Sequence, residues 1–136
     1  DPEELEATPF LRLSNSKELL LRLRWLAILF GRVECSLAVT GGVHTVEDAV
    51  KSVMAGANAV QMVSRLLKDG VDVLGEIQQG VAEWLEEREY DSLRQAHGSM
   101  SHQRVPDPSA FERGNYARIL QSWRERNLTR GDLLFS

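Results

Sequence analysis

The sequence predicts an α/β fold in which two parallel strands are joined by a helix. Two short apolar runs, at residues 36–40 and 59–63, are bounded by polar residues or glycine and are typical of buried strands. Between them, a helical pattern begins after Thr45 and stops at Gly56. A strand, a helix and a second strand in this order are typical of a right-handed crossover in a parallel sheet.

A helix is also predicted before the first strand. Asn15, with Glu18 three residues later, resembles a capping box, and Gly31 is placed to end the helix. Its apolar residues are expected to form one broad face that packs against the sheet: Leu19, Leu20, Leu23, Trp25, Leu26, Ile28 and Leu29.

The crossover helix has a strong start signal. Thr45 supplies a capping hydroxyl, and Glu47 and Asp48 place carboxylates at the positive end of the helix. Its predicted buried stripe contains small and β-branched residues: Val46, Ala49, Val50, Val53 and Met54.

Further helices follow the second strand. Apolar spacing predicts an amphipathic helix over 72–90, with the stripe Leu74, Ile77, Val81, Trp84 and Leu85. A short helix over 92–96 and a linker or wrapping loop over 98–108 come next. Ser109 and Glu112 resemble a capping box for a terminal helix, whose stripe is Phe111, Tyr116, Ile119, Leu120 and Trp123. We therefore divide the chain into strand–helix units over 1–98 and a linker with a helical tail over 99–136.

Composition excludes several classes of protein. A net charge of −4 and a pI near 5.4 argue against a broad nucleic-acid surface. No run approaches the roughly 20 apolar residues of a membrane span. The single cysteine, Cys35, is expected to be a small buried residue at a strand start, and it fits a reducing cytoplasm. His97 and His102 lack metal-ligand spacing with it, so no metal site is predicted.

Two strands alone bury too little apolar surface to form a stable sheet. The remaining strands are expected in a missing N-terminal part of the same polypeptide, in a second chain, or in a symmetric partner. We favour the first, because the chain opens at Asp1 with an acidic segment that has no features of a signal peptide.

The turns after the two strands predict a phosphate site. Thr40, Gly41 and Gly42 follow the first strand and precede a capped helix, where backbone N–H groups and the helix dipole attract anions. Two glycines are expected to let a phosphate oxygen approach the backbone without meeting a Cβ atom. The second strand delivers Val63, Ser64 and Arg65 beside them. His44 is interpreted as a turn or helix-start residue, since no nucleophile or carboxylate pair accompanies it.

Two segments resemble the C-terminal flavin-phosphate region of the dihydroorotate dehydrogenase family: LAVTGGVHTVEDA at 37–49 and MAGANAVQM at 54–62. The helix LLLRLRWLAIL at 19–29, the GSMS run at 98–101, and FER and NY at 111–113 and 115–116 resemble its dihydroorotate dehydrogenase-like branch. Together the similar segments cover about residues 9 to 123.

The resemblance implies the last two βα units of a (β/α)8 TIM barrel with a C-terminal helical extension. The resemblance also implies an FMN-dependent oxidoreductase of pyrimidine biosynthesis. In such an enzyme, hydride passes from a dihydropyrimidine-like substrate to the flavin. By position, Thr40, Gly41, Gly42, Val63, Ser64 and Arg65 would hold the FMN phosphate.

The chain departs from the family pattern in two respects. The family commonly has Gly-Thr and a small residue where this chain has Val63, Ser64 and Arg65; Arg65 either adds a phosphate contact or points outward. The family's catalytic base and its flavin-contacting lysine and asparagines lie upstream, and Cys35 is not that base. The resemblance therefore implies no catalytic residue here and an inactive fragment.

Two other functions stay open at this level. One is a non-catalytic half-barrel that serves as a scaffold or interaction subunit, for example in a homo-oligomer, with the turn kept for folding. The other is a phosphosugar-binding barrel, since the same turn binds substrate phosphates, although the resemblance through the tail is not to those enzymes.

Overall fold

A computed structural model describes residues 10–111, together with Glu3 and Ser122. The helices and strands are α1 (Leu19–Leu29), β1 (Ala38–Thr40), α2 (Val46–Ala55), β2 (Ala59–Gln61), α3 (Ser64–Asp69), α4 (Val73–Glu87) and α5 (Leu93–Ala96). Short 3-10 turns occupy Ser16–Glu18 and Pro108–Phe111. Most of the predicted terminal helix and the tail after it lie outside the described residues.

The predicted α/β unit is present. β1 and β2 pair in parallel, with Ala38 opposite Ala59 and Thr40 opposite Gln61, and α2 connects them. Both strands are shorter than the apolar runs that predicted them. The first ends because Gly41 turns the chain with a φ of +81°, and the second ends because Val63 already has helical dihedral angles.

The core lies where α1 and α2 pack against the sheet. Its buried residues are Leu19, Leu26, Ala27, Val39, Val43, Ala49, Ala55 and Ala57. Several of them are alanines, which let the helices approach closely. The predicted Thr45 cap of α2 is confirmed, since the Thr45 hydroxyl accepts from the Asp48 N–H; the Asp48 carboxylate also accepts from the Thr45 N–H and completes a capping box.

The prediction that α1 buries one broad apolar face is wrong for part of that face. Leu20 and Trp25 are 66% and 54% exposed, whereas Leu19 and Leu26 are buried. Trp25 lines a groove of about 460 Å³ between α1 and β1, together with Leu21, Leu29, Leu37 and Val39. The helix is apolar on two sides, and the elements within the described part of the chain cover one of them.

Two other features differ from the sequence predictions. The helix α3 was not predicted, because six residues are too few for a periodic pattern; an exposed pair between Arg65 and Asp69, four residues apart, supports it. Cys35 is exposed in the loop before β1, so the expectation of a buried thiol is wrong.

The loop after α5 wraps the outer helices, as predicted. The N–H groups of Gly98 and Met100 donate to carbonyls of α2, at Val53 and Met54, and the His102 N–H donates to Ala27 of α1. Within the described ranges, the helices are too short or too polar to cross a bilayer.

Candidate phosphate-binding site

A small cavity lies at the carboxyl ends of β1 and β2. Its volume is about 190 Å³, and three segments form its walls: residues 12–14, the turn 40–43 after β1 and the segment 61–64 after β2. Five of the six residues predicted for this site line it, namely Thr40, Gly41, Gly42, Val63 and Ser64. Adjacent parallel strands therefore bring the two predicted turns together.

The glycines of the first turn serve a purpose that differs from the one the sequence suggested. Gly41 and Gly42 have φ angles of +81° and +89°, a backbone conformation that favours glycine. A Cβ atom on Gly42 would lie 2.6 Å from the backbone nitrogen of Leu19, and one on Gly41 would lie 3.0 Å from a guanidinium nitrogen of Arg22. The missing Cβ atoms therefore make room for α1 and its side chains.

The polar groups of the cavity meet at the Ser14 hydroxyl. Its oxygen accepts from the Gly42 N–H at 3.1 Å and lies 2.9 Å from the Ser64 hydroxyl oxygen. The Ser14 backbone N–H also donates to the Ser64 hydroxyl at 3.0 Å, and the His44 Nε2 lies 3.3 Å from the Ser14 Oγ. One backbone N–H, two hydroxyls and an imidazole thus surround a single point between the strand ends.

The start of α2 is already occupied by a carboxylate of the helix itself. Asp48, which is buried, accepts from the N–H groups of His44 at 3.0 Å and Thr45 at 3.1 Å, and from the Ser16 hydroxyl at 2.7 Å. Burial alone would raise the pKa of Asp48, but these hydrogen bonds outweigh it, so its pKa lies below the usual value of 3.8. These two N–H groups therefore do not serve an anion in the cavity, and the carboxylate offsets part of the positive charge at the helix end.

Arg65 does not reach the cavity. Its Nη1 atom pairs with the Asp69 carboxylate at 2.9 Å along α3, and it is absent from the cavity walls. The sequence left open whether Arg65 contacts the phosphate or points outward. The geometry agrees with an arginine that points outward.

The structure adds two polar residues that the sequence analysis missed, Arg12 and Ser14. Both line the cavity, and neither belongs to a recognisable motif. The available signal was the alternation of Arg12, Ser14 and Ser16 along an extended segment, because every second side chain of such a segment faces the same side.

The cavity suits the phosphate end of FMN better than its ring system. It has the Ser64 hydroxyl and the Arg12 side chain at its walls, and hydroxyl and guanidinium groups bind phosphate oxygens. At about 190 Å³ it is smaller than the roughly 300–1,000 Å³ of pockets that enclose whole ligands. Among the described residues, no three His, Cys, Asp or Glu side chains form a group that could hold a metal ion.

The chain was compared with known proteins. The family profile described as dihydroorotate dehydrogenase matches residues 23–85, which include the second half of α1, the strand–helix–strand unit, α3 and most of α4. The match therefore contains both turns of the cavity but begins after Arg12 and Ser14.

Curated relatives carry the same family name. The catalytic subunit of dihydroorotate dehydrogenase B (NAD(+)) from Methanosarcina acetivorans is 39% identical over 77 residues, which cover 57% of this chain and 24% of the relative. The corresponding subunit from Pyrococcus furiosus is 32% identical over 78 residues, covering 57% and 26%. The dihydroorotate dehydrogenase (quinone) of Haloarcula marismortui is 35% identical over 68 residues, covering 50% and 19%.

The matched part thus spans about a quarter or less of the length of these relatives. Their names differ in the electron acceptor, so the similarity identifies a family without identifying an acceptor. Over residues 23–85, this chain is similar to the dihydroorotate dehydrogenase family.

Proposed function

We propose that this chain forms the phosphate-binding end of the FMN site in a dihydroorotate dehydrogenase-like flavin oxidoreductase. The observation that carries the proposal is the cavity at the carboxyl ends of two adjacent parallel strands, where the Gly42 N–H and the Ser64 hydroxyl converge. Phosphate sites of (β/α)8 barrels commonly lie after the last two strands. The family match covers both of these turns.

The residues of this chain have a binding role in the proposal. Thr40, Gly41 and Gly42 form one wall for the phosphate, and Val63 and Ser64 form the opposite wall. Bound FMN supplies a flavin ring that accepts hydride, here from a dihydropyrimidine-like substrate. Anchoring the phosphate fixes where that ring lies, because the two are parts of one molecule. We assign no catalytic residue to this chain.

The proposed architecture is the last two βα units of a (β/α)8 barrel. β1 and β2 pair with each other, and each leaves its other edge without a partner strand among the described residues. Beside β1, the apolar groove lined by Leu21, Trp25 and Leu29 offers a surface that a further strand and its side chains would cover. We propose that the other barrel strands lie on these edges and come from an N-terminal segment of the same polypeptide or from a companion chain.

Flavin content tests the proposal directly. The native protein that contains this chain should show a flavin absorbance spectrum as purified, or should take up FMN on reconstitution. It should bind FMN more tightly than riboflavin, which has the same ring but no phosphate. A native protein that neither contains nor takes up flavin would contradict the proposal.

The mass of the native assembly gives a second, independent result. A complex or longer polypeptide that includes further barrel strands agrees with the proposed enzyme. A homo-oligomer of this chain without flavin would instead favour a non-catalytic scaffold.

A further inference from the structure

Two arginines flank the glycine turn, and their environments differ. Arg22 packs against Gly41, donates to the carbonyl of Glu18 and lines the apolar groove. Arg12 lines the phosphate cavity itself, and its side chain forms no ion pair within the described residues. A cation at the wall of a cavity that presents hydrogen-bond donors attracts anions.

The segment that carries Arg12 is fastened to both strand ends. Two residues after Arg12, Ser14 bonds to Gly42 after β1 and to Ser64 after β2. Two residues further on, Ser16 donates to the buried carboxylate of Asp48. Ser14 thus holds the segment against both strand ends, and Ser16 holds it against the start of α2.

The need for a side-chain cation follows from the electrostatics of α2. In many phosphate sites the positive end of a helix balances the charge of the anion. Here the Asp48 carboxylate accepts from the N–H groups of His44 and Thr45, just before the first helical residue, and adds a negative charge behind the turn. A phosphate dianion in the cavity therefore needs positive charge from another segment.

We propose that Arg12 is a ligand of the phosphate group and supplies its counter-charge, and that Ser14 and Ser16 are positioning residues that hold Arg12 at the cavity. This inference rests on the proposed function for the identity of the ligand, FMN. It assigns phosphate recognition to a third segment, outside the part of the chain that the family profile matches.

The test compares FMN with riboflavin in the native protein, using Arg12→Gln. The affinity for FMN should fall about tenfold, because a charged hydrogen bond to phosphate is lost. The affinity for riboflavin should not change. Arg12→Lys, which keeps the charge without the planar fork, should give an intermediate affinity for FMN.

Lys68→Gln is the matched control, since it removes one exposed positive charge on α3 outside the cavity. It should leave both affinities unchanged. Salt gives a further measurement: the FMN affinity of the unmodified protein should fall more steeply with sodium chloride than that of Arg12→Gln.

The outcomes separate the two proposals. An unchanged FMN affinity in Arg12→Gln, or an equal loss for FMN and riboflavin, would overturn the role of Arg12 while leaving the FMN site in place. An unmodified protein that binds FMN no better than riboflavin would overturn the proposed phosphate site and the role of Arg12 with it.

Discussion

The two turns that meet at the cavity are built differently. The turn after β1 contains Gly42 and Val43, which are buried, and it leads into a ten-residue helix with a complete capping box. The turn after β2 contains Val63, which is 60% exposed, and it leads into a six-residue helix without a side-chain cap. The first turn is held by the core, whereas the second is held mainly by its contacts with Ser14.

This difference separates the residues that shape the cavity from those that face it. The two glycines are the most conspicuous signal in the sequence, yet their missing Cβ atoms accommodate α1. The side-chain groups that face the cavity belong to less conspicuous residues, Ser64, Ser14 and Arg12. Substitutions in the first turn should therefore affect stability most, and substitutions facing the cavity should affect phosphate recognition.

The largest effect is expected for Gly42→Ala. Its φ of +89° is unfavourable for alanine, and the new Cβ atom would lie 2.6 Å from the Leu19 nitrogen. We expect the free energy of unfolding to fall by about 3 kcal/mol, measured by chemical denaturation of the native protein.

Gly75→Ala is the matched control for this substitution. Gly75 lies in α4, and an added Cβ atom there would meet nothing within 4 Å. Higher helix propensity should raise stability by about 0.5–1 kcal/mol. If the two substitutions changed the free energy of unfolding equally, α1 would not approach the turn as closely as described.

The comparison also shows how much the sequence could predict. The Thr45 cap of α2 was visible as a local pattern and is confirmed, and Asp48, three residues later, returns a hydrogen bond to the Thr45 N–H. Ser14 lies 28 residues from Gly42 and 50 from Ser64, and no local pattern signals such contacts. The strand–helix–strand order was likewise predictable because each element has its own apolar period and stop signals.

The wrong prediction for α1 has another cause: the apolar character of a residue does not show which element packs against it. Trp25 and Leu20 fit the apolar stripe of α1 as well as Leu26 does, but they are exposed. The helix α1 is apolar on two sides. The elements around it decide which side is buried, and the helix sequence contains no information about those elements. The start of α2 was ambiguous in a similar way, because a carboxylate there can either cap the helix or leave its N–H groups to an anion. The Asp48 carboxylate occupies the N–H groups of His44 and Thr45, which an anion could otherwise use.

The second largest effect is expected for Asp48→Asn, which tests how firmly the first turn is anchored. The substitution removes the charge that Ser16, His44 and Thr45 stabilise by hydrogen bonds. At neutral pH, the free energy of unfolding should fall by about 1–2 kcal/mol.

The pH dependence of this effect has a defined sign. The pKa of Asp48 in the folded protein lies below its usual value of 3.8, so folding favours the ionised carboxylate. Its contribution is complete above the usual value and disappears as the pH falls through the folded-state pKa. The difference in unfolding free energy between the unmodified protein and Asp48→Asn should therefore shrink in acid; a constant difference would contradict the role of the charge.

A smaller change in stability is expected for Ser64→Ala in the second turn. The Ser14 N–H and hydroxyl would lose their shared partner, and the free energy of unfolding should fall by about 1 kcal/mol. The preference for FMN over riboflavin should fall about fivefold, as measured by flavin titration. Ser36→Ala, in the exposed loop before β1, should change neither quantity. Loss of stability without loss of the FMN preference would assign Ser64 to folding alone.

The smallest effect is expected for Arg65→Gln, which tests whether the more prominent arginine of the second turn takes part in binding. Its pair with Asp69 joins two partly exposed side chains, 35% and 40% accessible, so water and salt weaken it. Stability should fall by about 0.3–0.5 kcal/mol, as for other surface pairs four residues apart on a helix. The affinity for FMN should stay the same, because the guanidinium is turned along α3 and away from the cavity. A loss of FMN affinity comparable to that of Arg12→Gln would mean that the Arg65–Asp69 pair opens when phosphate binds, and the second turn would then supply charge as well as a hydroxyl.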